Sequence, residues 1–297
     1  MKAEQLNSLA TLTPLLQVAD PCDLDMLVDY ITDNGEGRLS LATSVCSKLV
    51  AAKAVSQKVG EYSTEARTLI AGEILLFGGN TLGNLVRSLR SSVPVGTPLD
   101  VILPHINEKV SYVEVVRDVA SHLKVEMSAN ASIVDLELAI LVKILSRSFD
   151  KMSPEERRQL MDEIGAGDLA WGPGVAAATL LAGRMSGVAS LRLATMVAEA
   201  SARALVGHGL TMVGVGGSSR VLGAALGPIG WAVTGLWTLA DLSAPAYRVT
   251  VPCVVQVAYI RQKMLMQMTH ATCSCGSQVM RSAKFCQECG STMKLAP

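Results

Sequence analysis

Residues 20–31 read DPCDLDMLVDYI. Leu24, Leu27, Val28 and Ile31 fall at i, i+3, i+4 and i+7, the spacing of one helix face and not of a strand. Asp33-Asn34-Gly35-Glu36-Gly37 then closes the helix, because these residue types favour turns. The pattern repeats on either side of this break. A second helix is expected from Leu39 to Val59, with Leu41, Val45, Leu49 and Ala52 along one side. Ser63 or Thr64 caps a third, which runs through Leu69 to Phe77. Gly78-Gly79-Asn80 is expected to interrupt it before Thr81 to Leu89 resumes with Leu82, Leu85, Val86 and Leu89. A Ser-, Pro- and Gly-rich loop covers 91–98, and two more helices are expected near 99–125 and 131–148. Ser153-Pro154-Glu155-Glu156 is a helix start: Ser as N-cap, Pro in the first turn, Glu three residues after the cap. Alternation of period two never holds for more than a few residues. Residues 1–164 therefore read as an all-α domain, acidic with 22 acids against 16 bases.

The character of the chain changes at Gly165. Residues 165–247 hold 15 of the 25 glycines and seven charges: Asp168, Arg184, Arg192, Glu199, Arg203, Arg220 and Asp241. From 165 to the end there are 4 acids and 10 bases, so the zero net charge of all 297 residues is a cancellation. That balance argues against a generic nucleic-acid binder. The whole chain is 49% apolar, 18% charged and 4% aromatic. A long helix is expected from about Val175 to Val206. Its Arg184, Arg192, Glu199 and Arg203 fall within a wedge of about 100° at helical spacing. It reads either as a buried helix with one wet edge and a Glu199–Arg203 pair, or as a helix able to lie in a bilayer.

Val221 to Ala240, VLGAALGPIGWAVTGLWTLA, carries no charge over 20 residues between Arg220 and Asp241. About 20 apolar residues are what a membrane-spanning helix needs. Gly223 and Gly227, like Gly183 and Gly187, have the spacing that lets helices approach closely, and Trp231 and Trp237 suit a membrane interface. Gly227-Pro228, Gly230 and Gly235 weaken a single straight helix. A span, a re-entrant hairpin and a buried hairpin in a helical bundle all remain open. Ala246 to Met268 is a further helix, with Pro252 in its first turn or kinking it. Its Arg248, Arg261 and Lys263 are expected to favour an anionic inner membrane surface. The start, Met1-Lys2-Ala3-Glu4-Gln5, shows no basic n-region followed by an apolar stretch, so residence in the cytoplasm is expected, at the inner face of the cell membrane where 221–240 engages it.

Four of seven cysteines lie within 273–289, as Cys273-x-Cys275-Gly276 and Cys286-x-x-Cys289-Gly290. Four thiolates in two close pairs can surround one tetrahedral zinc, and such clustering fits a metal site better than a disulfide framework. Cys273, Cys275, Cys286 and Cys289 are the expected ligands of a structural Zn2+. The pattern resembles the short zinc ribbons, CxxCG followed by FCxxCG. The second half matches at Phe285, Cys286, Cys289 and Gly290, with Phe285 expected to pack under the site. The first half has one spacer residue instead of two, and His270 is the alternative ligand if Cys273 cannot reach. Arg281, Lys284 and Lys294 leave nucleic-acid contact open, but they form no basic patch with interleaved aromatics.

No catalytic site is expected. GxxxxGK[ST], GxSxG and HExxH are absent, and Gly214-Val215-Gly216-Gly217-Ser218-Ser219-Arg220 lacks the lysine of a phosphate loop. Glu114, Arg117, Asp118 and His122 share a helix face, which reads as proton-transfer groups or, more simply, as a solvated face with i, i+4 pairs. His208, in Gly207-His208-Gly209, reads as a core histidine or a pH-responsive one.

Leu69-Ile70-Ala71-Gly72-Glu73 with Phe77-Gly78-Gly79, then Gly207-His208-Gly209-Leu210, then Ala246-Tyr247-Arg248-Val249-Thr250-Val251-Pro252 on to Gln256, Ala258 and Arg261, resemble the YaaW family of bacterial proteins. The likeness spans roughly residues 15–263. That family is grouped distantly with the ubiquinol-cytochrome c chaperones, helical assembly factors acting at a membrane. The resemblance implies a helical first half and names no active site. Three segments follow: an acidic helical domain at 1–164, a Gly-rich apolar helical region at 165–268, and a zinc ribbon at 269–297. The expected function is a non-enzymatic, membrane-associating adaptor or chaperone-like assembly factor whose ribbon binds a protein partner. The alternative is a membrane-inserting or pore-forming effector that stores a hydrophobic hairpin.

Overall fold

The computed structural model describes residues 11–38, 41–91, 110–126, 130–149, 152–164, 187–207 and 246–293. The hydrophobic run 221–240, the Gly214–Arg220 loop, His208, Lys294 and the helical stretches expected over 99–109 and 175–186 lie outside them. The described elements are α1 (Leu12–Val18), α2 (Pro21–Thr32), α3 (Thr43–Val59), α4 (Thr64–Ser91), α5 (Tyr112–His122), α6 (Ile133–Phe149), α7 (Pro154–Ile164), α8 (Gly187–Val206), α9 (Tyr247–Thr269), β1 (His270–Thr272) and β2 (Gln278–Met280). The fold is mostly helical, with one two-stranded antiparallel sheet among the described residues.

Local signals act where the sequence places them. Leu24, Leu27, Val28 and Ile31 are fully buried on α2, and Asp33 ends the helix in a left-handed conformation (φ 57°). Ser153 and Glu156 form the expected reciprocal cap of α7: Ser153 N–H donates to Glu156 Oε2 (2.7 Å) and Glu156 N–H to Ser153 Oγ (3.2 Å). Ser111 and Glu114 do the same for α5. Buried Arg67 donates from Nη1 to the Leu16 and Ala19 carbonyls (2.7 and 2.8 Å), which closes the C-terminal end of α1.

Gly78-Gly79 does not interrupt α4, which is continuous from Thr64 to Ser91. The two glycines instead permit a close approach. A Cβ on Gly78 would overlap both methyl groups of Val115 on α5, and one on Gly79 would come within 2.9 Å of Val110. Two glycines in a helix cost roughly 1 kcal/mol each relative to Ala, a loss that packing against α5 offsets.

One hydrophobic core runs from Leu12 to Met266. α8 and α9, which come from the Gly-rich region, pack in it together with helices of the first 164 residues. α9 is the central element, packed against α1, α2, α4, α5, α6 and α8. Its buried run from Val249 to Lys263 includes Pro252, which sits inside the helix in its second turn. For residues 187–206 the buried reading of the long helix holds. Glu199 is buried and paired with Arg203 Nε at 2.7 Å, while Arg203 is exposed.

Of the three basic residues of α9, Arg248 is exposed, whereas Arg261 and Lys263 are buried and so present no charge to an anionic surface. Arg261 is fully buried, and its Nε and Nη2 donate to the fully buried Glu137 of α6 at 2.6 and 3.1 Å. Tyr112 Oη of α5 donates to the same carboxylate at 2.9 Å. Lys263 lies between Asp20 (2.6 Å) and Asp23 (2.8 Å) at the start of α2. A charge left alone in such a core costs several kcal/mol, so Arg261 and Lys263 each select the helix that carries the matching carboxylate. Among the described residues, no helix is long and apolar enough to cross a membrane.

Candidate metal centre

α9 runs straight into β1. Arg281, just after β2, donates from Nε and Nη2 to the Gln267 carbonyl (both 3.1 Å), and its own N–H donates to the Thr269 carbonyl (2.8 Å). A guanidinium there satisfies a free helix carbonyl and suits the negative end of the helix dipole. The residue considered for nucleic-acid contact thus fastens the ribbon to the helix. β1 and β2 pair as His270↔Met280, Ala271↔Val279 and Thr272↔Gln278, and Phe285 bridges Thr292 in a second, shorter hairpin.

Each hairpin ends in a turn that presents two cysteines. In the first, Cys273 N–H donates to Ser277 O and Gly276 N–H to Cys273 O, both at 2.9 Å. In the second, Cys286 N–H donates to Ser291 O and Gly290 N–H to Cys286 O, again at 2.9 Å. The two turns are the same device, the first shortened by one residue. Gly276 (φ 92°) and Gly290 (φ 72°) are left-handed, a conformation that residues with a Cβ adopt only under strain.

The sulfurs of Cys273, Cys275, Cys286 and Cys289 all lie within 4.8 Å of one another. Cys273–Cys289 and Cys275–Cys286 are 3.6 and 3.7 Å apart. Disulfides need about 2.05 Å, so these are free thiols. A tetrahedral ion with metal–sulfur bonds of about 2.3 Å sets its sulfurs roughly 3.8 Å apart. Two of the sulfur pairs already have that spacing, and no pair is more than 4.8 Å apart, so the donor set suits such an ion. Zinc or iron are the metals that favour four tetrahedral sulfurs.

Polar hydrogens converge on the sulfurs. The Cys275 amide, then the Ser291 hydroxyl, lower the Cys273 thiol to about 5. The hydroxyl and amide of Ser277 lower that of Cys275. At Cys286 the amides of Cys289 and Glu288 pull down, but burial and the neighbouring Cys273 and Cys289 sulfurs push it up to about 11. Four adjacent thiols cannot all ionise without a cation between them, and a metal ion is the cation that would let them.

His270 is not in the cluster. Its Nδ1 bonds with Thr269 Oγ1 (2.8 Å), and its ring lies against Gly187 at the start of α8. Cys273 reaches the other three sulfurs itself. Phe285 does not pack under the site: it is 59% exposed, and Val279, Ala283 and Met293 line the small ribbon core instead. The serines were missed from sequence, although each directly follows a turn glycine, as Gly276-Ser277 and Gly290-Ser291.

Three of the four residues grouped on the α5 face make structural contacts. Glu114 is the N-terminal cap of α5. Asp118 accepts a hydrogen bond from Tyr247 Oη (3.1 Å), and His122 stacks on the Tyr247 ring with centroids 3.8 Å apart. Two of the four residues on that face therefore hold α5 to α9 instead of facing solvent as i, i+4 pairs.

No family model and no solved structure matches the chain. Curated relatives do. A UPF0174 protein of Helicobacter pylori strain J99 is 34% identical over 196 residues, covering 65% of this chain and 70% of its own. Another, from H. pylori strain 26695, is 33% identical over 201 residues, covering 66% of this chain and 87% of its own. The UPF0174 protein YaaW of Escherichia coli K12 is 26% identical over 252 residues, covering 81% and 90%. With relatives above 30% identity matched over most of their length, and with the YaaW likeness seen in the sequence bearing the same name, the chain belongs to the UPF0174 family.

Proposed function

We propose that this protein is a non-enzymatic adaptor in which a helical body displays a structural zinc ribbon to a protein partner. The observation that carries the reading is the four-sulfur cluster at the end of α9. Four protein ligands leave zinc no open position for substrate or water, so the ion would fold the ribbon and not react. A ribbon core of Cys273, Val279 and Cys286 is too small to hold the turns together without it. The ribbon's attachment through Arg281 supports a fixed presentation, since the module is locked to the central helix.

A chaperone-like assembly role is the version of this reading that the family likeness suggests. Membrane association now rests on the uncharged run 221–240, because Arg261 and Lys263 are consumed by carboxylates inside the core. Crosslinked pulldown with the full chain and with a Cys286→Ser Cys289→Ser variant tests the adaptor. A partner recovered by the first and lost with the second is the expected result. Equal recovery from both contradicts it. Carbonate-washed membrane fractions test the docking, and protein absent from membranes and from anionic liposomes removes it.

A further inference from the structure

The two cysteine turns have the same backbone bonds but unequal donors. Cys286 heads a turn closed by Gly290 N–H on its carbonyl, with Gln287 and Glu288 between the two cysteines. Cys273 heads the turn closed by Gly276 N–H on its carbonyl, with Ser274 alone between the cysteines. The first turn therefore has one backbone N–H fewer to offer its leading sulfur. The serines that follow the two glycines are also unequal. Ser277 Oγ meets Cys275, the second sulfur of its own turn, at 3.2 Å. Ser291 Oγ meets Cys289, the second sulfur of its own turn, at 3.0 Å, and also crosses to Cys273 at 3.1 Å. The hydroxyl that crosses does so at the sulfur that heads the shorter turn.

We infer that Ser291 is a positioning residue for the metal site, replacing the amide that the one-residue-shortened first turn has lost. The inference rests on the metal reading above. A thiolate can only accept hydrogen bonds, so once Cys273 and Cys289 are metal-bound the Ser291 O–H must be the donor. Its proton then lies between two ligands from the two halves of the site, which draws off charge from both and fixes their separation. Outer-shell donors of this kind typically alter metal affinity by about 10–100-fold. The departure from CxxCG is therefore compatible with a full four-sulfur site, with the compensation placed in the opposite turn.

The test is the zinc affinity of the full chain, read by competition with a chromophoric chelator. Ser291→Ala is expected to weaken Zn2+ binding by about 10–100-fold. Ser291→Thr, which keeps the hydroxyl, should stay near wild type. Ser277→Ala removes a hydroxyl that meets one sulfur where Ser291 meets two, and should weaken binding less than Ser291→Ala. Inserting one Gly between Ser274 and Cys275 in the Ser291→Ala chain restores the second amide and should recover most of the loss. Wild-type chain that takes up no zinc overturns the metal reading and this inference with it. Wild-type uptake with unchanged affinity in Ser291→Ala, or equal loss in both alanine variants, overturns the inference alone. Failure of the insertion to recover affinity also overturns it.

Discussion

Arg261 and Glu137 are both fully buried and joined by two hydrogen bonds, with Tyr112 Oη donating to the same carboxylate. Burial raises the Glu137 carboxyl against the pull of Arg261, so the pair is held by its partners and not by solvent. Removing one partner strands a charge. Glu137→Ala should lower unfolding free energy by about 3–5 kcal/mol in urea titration, whereas Glu137→Leu with Arg261→Met should lose less, because neither charge is then left alone. Equal losses would mean that shape and not charge holds this contact. The sequence showed Arg261 as a cation on an apolar helix and could not show its counter-ion, which lies 124 residues away. Local periodicity carries no information about pairing at that distance. The four cysteines were legible because their spacing alone defines the chemistry, whereas the crossing of Ser291 to Cys273 needed the two turns placed face to face.

At the scale of elements, α4 is the informative case. Gly72 and Gly78 lie on the same helix, yet an added Cβ meets nothing within 4 Å at Gly72 and overlaps Val115 at Gly78. Gly72→Ala should therefore stabilise by up to about 1 kcal/mol through helix propensity. Gly78→Ala should destabilise by about 1–3 kcal/mol through overpacking, with partial rescue by Val115→Ala. Thermal melts of the three chains check both signs, and a stabilising Gly78→Ala would refute the close packing. In the sequence the Gly78-Gly79 pair reads as a break because glycine weakens an isolated helix. The neighbour that justifies it, α5, was invisible to that local argument. The helix starts fared better, since a cap acts within four residues. Glu114 and Glu156 are held below their ordinary value of 4.5 by the N–H and hydroxyl of Ser111 and Ser153. A lowered carboxylate stabilises the fold above its unfolded value and loses that contribution as pH falls through the folded one. Circular dichroism should show Glu114→Gln Glu156→Gln frayed relative to wild type at pH 7, with the difference shrinking as pH falls below 4.5 through the lowered folded values. A difference that stays constant as the medium is acidified would contradict the caps.

At the scale of the molecule, the described residues form two cores of unlike kind. The helical core extends from Leu12 to Met266 and is held by apolar packing around α9. The ribbon core is small and built around its own cysteines. The compositional divide at Gly165 was plain in the sequence, and the described helices beyond it, α8 and α9, lie in the common core. Composition reports how much charge a segment carries, not which helices it packs against. Removal of the metal should therefore uncouple the two cores. Chelation is expected to leave the helical far-ultraviolet signal nearly intact while the ribbon loses protection from hydrogen exchange at Thr272–Gln278 and around Phe285. The central claim is that the four cysteines close around one zinc. Its most direct measurement is the metal content of the purified full chain beside the Cys286→Ser Cys289→Ser variant, by elemental mass spectrometry. One zinc per chain in the first and none in the second is the result the account predicts. A metal-free wild-type chain, or zinc retained by the variant, would contradict it.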